Sequence, residues 1–353
     1  MNVCSLLRTA GLLVLVGIAA CGETTTVTSI RPPASASLAV APDTGLDERS
    51  MVSPRMAEIN KKLAAAKSKV RLAKAELLMN NGWNGVAATV IFADDRVRGI
   101  GSEWVKGDPN RGGRIGLTYQ IASDRAVMPR IINADRATVR RATPTELENQ
   151  LEEGMSAWRG QACSTAPITR VAIPANTDPD QLDQFFAGKR FSRNYVQTAD
   201  IVQSGWQSAE WFRAIGEFYY DDPSVGDNII GVTFTFTWVD DNGQPTDVDR
   251  NGKRDIALAE IYYNDVFVWD NSGIVDLRVV DFYSIITHET GHAVGLGHFG
   301  KVFITAPDAS DGSLSLSEVK YAPYALMNAV YIAGRGSITG TDNSSFCSIW
   351  AND

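Results

Sequence analysis

All three histidines of this 353-residue chain fall inside one segment, His288-Glu-Thr-Gly-His292-Ala-Val-Gly-Leu-Gly-His298. Residues four apart on a helix lie one turn apart on the same face. His288 and His292 therefore present two imidazoles to a single metal ion, with Glu289 beside its open side. Gly295 lets the chain leave the helix in a backbone conformation that other residues resist, and His298 swings back as a third ligand. Three protein ligands leave one position open for water, which is the catalytic zinc arrangement; structural zinc sites are closed by four. Core histidines satisfied by hydrogen bonds are the competing reading. It does not account for the whole histidine supply sharing one spacing with Glu289 and Gly295.

The rest of the composition narrows the class. Charged residues make up 21% and hydrophobic residues 44%, as in ordinary globular chains. The net charge of −8 excludes a basic nucleic-acid footprint. Residues 1–20 read as a secretory signal, with Arg8 before a short apolar run. Ile18-Ala19-Ala20-Cys21 is similar to a bacterial lipobox, in which Cys21 becomes the lipidated N-terminus and holds the mature chain on a membrane surface, the outer membrane or the cell surface. Residues 21–52, rich in Thr, Ser, Ala and Pro, form a tether. Cys163 and Cys347 are then the cysteines left to the folded part, and an exported pair favours a disulfide.

Residues 53–112 read as a helical and short-strand N-terminal region. Ser53-Pro54 opens a helix, and Ile59, Leu63, Ala66, Val70, Ala73 and Leu77 form one apolar stripe along it until Asn80-Asn81-Gly82. A docked helix, a membrane-surface helix and an inhibitory propeptide all fit this segment. Strands are expected at 87–92, 98–105, 115–121, 168–173, 232–239 and 256–263, and helices at 144–160 and 281–296. The fold class expected is α+β, with a twisted mixed sheet, mostly parallel, under a long first helix and the zinc helix.

The pattern from His288 to His298 resembles the metzincin metallopeptidases, which also carry a Met-turn. Ala325-Leu326-Met327-Asn328 resembles the Ala-Leu-Met segment of the matrixin branch, and Met327 by that resemblance forms a floor beneath the zinc. Residues 257–264 with Trp269, the helix carrying Ala157-Trp158, and the segment 342–350 resemble further matrixin elements. The resemblance covers 113–353, the catalytic domain it implies, and points to a bacterial matrixin-like lipoprotein group. Four features depart from it. Phe299 follows the third histidine where matrixins usually carry Ser. Met327 stands 29 positions after His298, with a polar insertion at 307–317. Ala329 replaces the Tyr of astacin-like relatives, with Tyr331 nearby. No cysteine other than Cys21 precedes the domain to serve thiolate latency.

Asp247-Val-Asp249-Arg-Asn251-Gly252 begins like a calcium-binding loop, and Asp255 stands at its ninth position. Leu258 occupies the twelfth, where a bidentate Glu belongs, so a polar hairpin turn is the alternative to a Ca2+ site. The function expected is a lipid-anchored, zinc-dependent endopeptidase that uses Glu289 as general base on a peptide or protein substrate. That substrate is expected to add to an edge strand near 256–263. A surface-anchored metzincin scaffold without turnover and a zinc amide hydrolase of non-peptide substrates share the same ligands. Substrate preference and oligomeric state are not encoded legibly.

Overall fold

The stripe between Ile59 and Leu77 divides into two kinds of structure. Helix α1, Met56–Ala65, buries Met56, Ile59 and Leu63. Lys67 then takes a left-handed backbone (φ 57°), and the amides of Lys67 and Ser68 close back onto Ala64 and Leu63. From Val70 the chain is a strand, β1 (Val70–Trp83). The expected single helix is thus wrong beyond Ala65, for a local reason. The ladder shifts register between Lys74 and Leu72, which leaves Ala73 as an extra residue. The strand's period of two is broken at that bulge, and Ala73, the extra residue, supplies the spacings of three from Val70 and four to Leu77 that imitate a helical stripe. Asn60 of α1 clamps the bulge, donating to Leu72 O (2.9 Å) and accepting from Leu72 N (2.7 Å).

The structure is a computed structural model. It describes residues 25–26, 49–52, 55–83, 86–93, 101–122, 127–133, 135, 137–164, 166–270, 279–304, 319–332 and 337–351. The signal, Cys21, Ser53-Pro54, the insertion at 307–317 and most of the tether lie outside the described residues, as does 98–100 of the strand expected at 98–105.

Seven further strands join β1: β2 (Val86–Ala93), β3 (Leu117–Ile121), β4 (Ile168–Arg170), β5 (Ile201–Gln207), β6 (Ile229–Trp238), β7 (Arg254–Asn264) and β8 (Val330–Ile332). Their spatial order is β8-β2-β1-β6-β7-β5-β3-β4. The β7-β5-β3-β4 half is parallel and the β8-β2-β1-β6-β7 half antiparallel, so the sheet is mixed but not mostly parallel. Strand β7 is interior, hydrogen-bonded to β6 on one side and β5 on the other, so the expected edge strand at 256–263 is not an edge. No break in the sheet falls at residue 113, because β1 and β2 are ladder neighbours of β6 and β8.

Both faces of the sheet are covered. Helices α1, α3 (Leu182–Phe186) and α4 (Ala209–Tyr220) pack on one face. Helices α2 (Pro144–Arg159), α5 (Phe282–Ala293) and α6 (Gly340–Trp350) pack on the other. Strand β7 alternates accordingly: Ile256, Ala259, Ile261 and Tyr263 join the α5 side, and Ala257, Leu258 and Tyr262 the α4 side. A strand covered on both faces can be apolar on both, which is why 256–263 is apolar except at Glu260, while 232–239 stands out by its β-branched and aromatic residues, with Thr alternating. Thr143 caps α2 with a complete capping box, as Thr143-Pro144-Thr145-Glu146 indicates. Cys163 and Cys347 form the expected disulfide, with Cα atoms 5.6 Å apart, tying α6 to the loop after α2.

Candidate metal centre

Helix α5 begins at Asp281, whose side chain accepts from Ser284 N (2.8 Å) and frees the chain to enter helix at Phe282. Three tryptophans then fix its depth and roll. Trp158 Nε1 donates to Thr287 O (2.9 Å), Trp104 Nε1 to Ala293 O (2.8 Å) and Trp350 Nε1 to Val294 O (2.9 Å). Gly291 is required where α5 meets the turn at Met327, since a Cβ there would lie 2.3 Å from Met327 Sδ and 2.9 Å from Trp158 Cζ2. Met327 is fully buried in that contact.

His288 and His292 each direct Nδ1 at a main-chain carbonyl, Leu326 O (2.9 Å) and Leu296 O (3.0 Å). A carbonyl only accepts, so each Nδ1 carries the proton and each Nε2 keeps its lone pair. The two Nε2 atoms face each other at 3.1 Å. The chain leaves the helix through Gly295 at φ 102°, and Phe299 N donates to Met327 O (2.8 Å), which brings His298 back over the pair. Ligand nitrogens of His288, His292 and His298 all lie within 4.8 Å of one another. Burial pushes His288 well below the usual histidine range, aided by the neighbouring imidazoles, and takes His292 down to about 4 against the pull of Glu76. Neutral imidazoles with converging lone pairs fit a divalent, nitrogen-preferring ion such as zinc.

Glu289 stands beside this group and is 1% exposed. Its Oε2 accepts a hydrogen bond from Thr233 Oγ1 of β6 at 2.6 Å. Burial raises the carboxyl to about 8, with Thr233 opposing and Glu76 adding to the rise. Asp342 of α6 accepts from Leu326 N (2.8 Å) and Met327 N (2.9 Å), which holds the turn at Met327 against α5.

The other expected metal loop is also assembled. Asp247, Asp249 and Asp255 bring carboxylate oxygens within 4.8 Å of one another. Gly252 has φ 86°, and its amide donates to Asp247 Oδ2 (3.0 Å), while Asn251 N donates to Asp247 Oδ1 (3.0 Å). Glu103, beside the loop through the pairing of Ser102–Glu103 with Arg254–Asp255, accepts from Asn251 and Lys253. A further group, Asp178, Asp180 and Asp183, also falls within 4.8 Å, beside buried Glu260.

Sequence reasoning missed Glu76, Thr233, Trp104 and Asp342. Thr233 carries no motif, and Asp342 is legible only as the acidic end of the Thr339-Gly-Thr-Asp342 capping box of α6, which does not point to Met327. Trp104 is one tryptophan among eight, and Glu76 was hidden by the helical reading of its strand. The family models searched give no match to this chain, and a search of curated proteins likewise returns none.

Proposed function

We propose that this protein is a zinc-dependent endopeptidase of metzincin type, held on a membrane surface by lipid on Cys21. The observation that carries the reading is the convergence of two Nδ1-anchored imidazoles and His298 beside Glu289. When bound to His288, His292 and His298, zinc supplies a Lewis acid that acidifies water and polarises a peptide carbonyl. Glu289 takes the proton released as water attacks and delivers it to the departing amine nitrogen. Thr233 holds that carboxylate in place through Oε2, and the Met327 turn backs the helix that carries the ligands. Ca2+ on Asp247, Asp249, Asn251 and Asp255 belongs to the same reading, since these are hard oxygen donors.

A second reading, a metal-binding scaffold without turnover, draws on one observation. Glu289 is buried, and the β6 edge nearest it is already paired with β1. The two are separated by measuring bound zinc and casein cleavage for the mature chain from residue 22, wild type and Glu289→Ala, with a hydroxamate control. Zinc in both and cleavage only in the wild type supports the peptidase. Zinc in both and cleavage in neither supports the scaffold, and no zinc in the wild type removes both.

A further inference from the structure

Strand β1 brings a carboxylate to the metal centre that none of the readings above employs. Glu76 lies opposite Thr233 in the β1–β6 ladder, the residue that holds Glu289. It is 1% exposed, and its Oε1 stands 3.5 Å from His292 Nδ1. The approach is to the outer side of the ring, since Nε2 is the atom that faces His288. At 3.5 Å the contact is longer than a hydrogen bond, and the Nδ1 proton already goes to Leu296 O at 3.0 Å. Glu76 therefore acts on His292 through its charge. Its Oε2 lies 3.4 Å from Lys74 Nζ.

We infer that Glu76 is a positioning residue for the metal centre, an outer carboxylate that strengthens His292 as a ligand and offsets the charge of a bound dication. The inference rests on the zinc reading above. Its physical basis is charge balance in a dry site. Three neutral imidazoles leave a dication's charge uncompensated, and Glu76, 3.5 Å from His292, offsets part of it. Lys74 brings a cation to buried Glu76, at 3.4 Å, and a dication on the three histidines adds another, so metal and Glu76 stabilise one another. Ligand orientation and basicity are commonly set by such outer partners, whose loss weakens metal binding by about 10–100-fold. One consequence concerns the chain's organisation: the strand carrying Glu76 belongs to the surroundings of the site, so a cut near residue 113 removes part of the metal centre.

The test measures zinc affinity by chelator competition on the mature chain for wild type, Glu76→Gln and Glu76→Asp, with melting of each metal-free protein. Glu76→Gln is expected to bind zinc about 10–100-fold more weakly while its metal-free melting stays near wild type, and Glu76→Asp to recover part of the loss. Wild-type affinity in Glu76→Gln overturns the inference while leaving the zinc reading intact. Metal-free melting lowered in both variants, with no separate loss of affinity, assigns Glu76 to the fold and overturns it too. Failure of the wild type to bind zinc overturns the zinc reading itself.

Discussion

Thr233 on β6 and Glu289 on α5 are joined by a 2.6 Å hydrogen bond from Oγ1 to Oε2, and this bond links the sheet to the centre of the metal helix. Thr233 is fully buried, so no water can replace its hydroxyl. Thr233→Val keeps the shape and removes the donor. A hydrogen bond to a charged group contributes about 1.5–3 kcal/mol, so peptide cleavage is expected to fall by about 10–100-fold while bound zinc is retained. Steady-state kinetics beside metal analysis check this, and unchanged kinetics would contradict the role given to Thr233.

Gly291 is a packing requirement rather than a chemical one. A methyl there must displace Met327 Sδ and the Trp158 ring. Gly291→Ala is expected to destabilise the fold by about 1–3 kcal/mol, the usual cost of overpacking. Urea denaturation measures it. Met327→Ala in the same background should recover part of the loss by making room.

Asp200 sets the acid limit of stability. Burial alone would raise its carboxyl, but Arg111, the Thr118 amide and Arg114 outweigh burial and hold it below the ordinary carboxylate range. A depressed carboxylate contributes stability that is complete above its unfolded value, about 4, and is lost as pH falls through the folded value. Unfolding free energy should therefore drop below about pH 4, and Asp200→Asn should flatten that part of the profile. Arg111→Met leaves a buried charge with only Arg114 beside it and should cost about 3–5 kcal/mol at neutral pH.

The Cys163–Cys347 bridge closes a separation of 184 residues. By the chain-entropy argument a loop of this size stabilises by about 5 kcal/mol, and measured values usually run lower, about 2–4 kcal/mol. Cys163→Ala paired with Cys347→Ala should lower stability within that range. Because Trp350 of the bridged helix α6 donates to Val294 O at the end of the metal helix, the same pair should also weaken zinc binding. Calorimetry and chelator competition on the double variant check the two effects separately.

Local signals were the legible part. The helix from Pro144 has its Thr143 cap, the strands at 232–239 and 256–263 are rich in β-branched and aromatic residues, and α5 has a histidine spacing that only a helix makes meaningful. The Cys163–Cys347 pair and the Asp247–Asp255 loop also follow from their own residues, one by elimination on the expectation of export and one by alternating oxygens. The Ala73 bulge misled, because one added residue turns a period of two into an apparent stripe. That error removed β1 from beside β6, and the edge expected at 256–263 fails separately, because β7 pairs with β5 as well as with β6.

By itself the sequence determined that His288, His292 and His298 would gather beside Glu289, because helical spacing and one turn-forming glycine act within a dozen residues. Tertiary structure decided what surrounds them. Glu76 approaches from 216 positions before His292, Thr233 from 56 before Glu289, and Asp342 from 15 after Met327. Strand order and register make those contacts, and both depend on which faces can be buried together across the whole chain. No local pattern around Glu76, Thr233 or Asp342 records the partner each will meet.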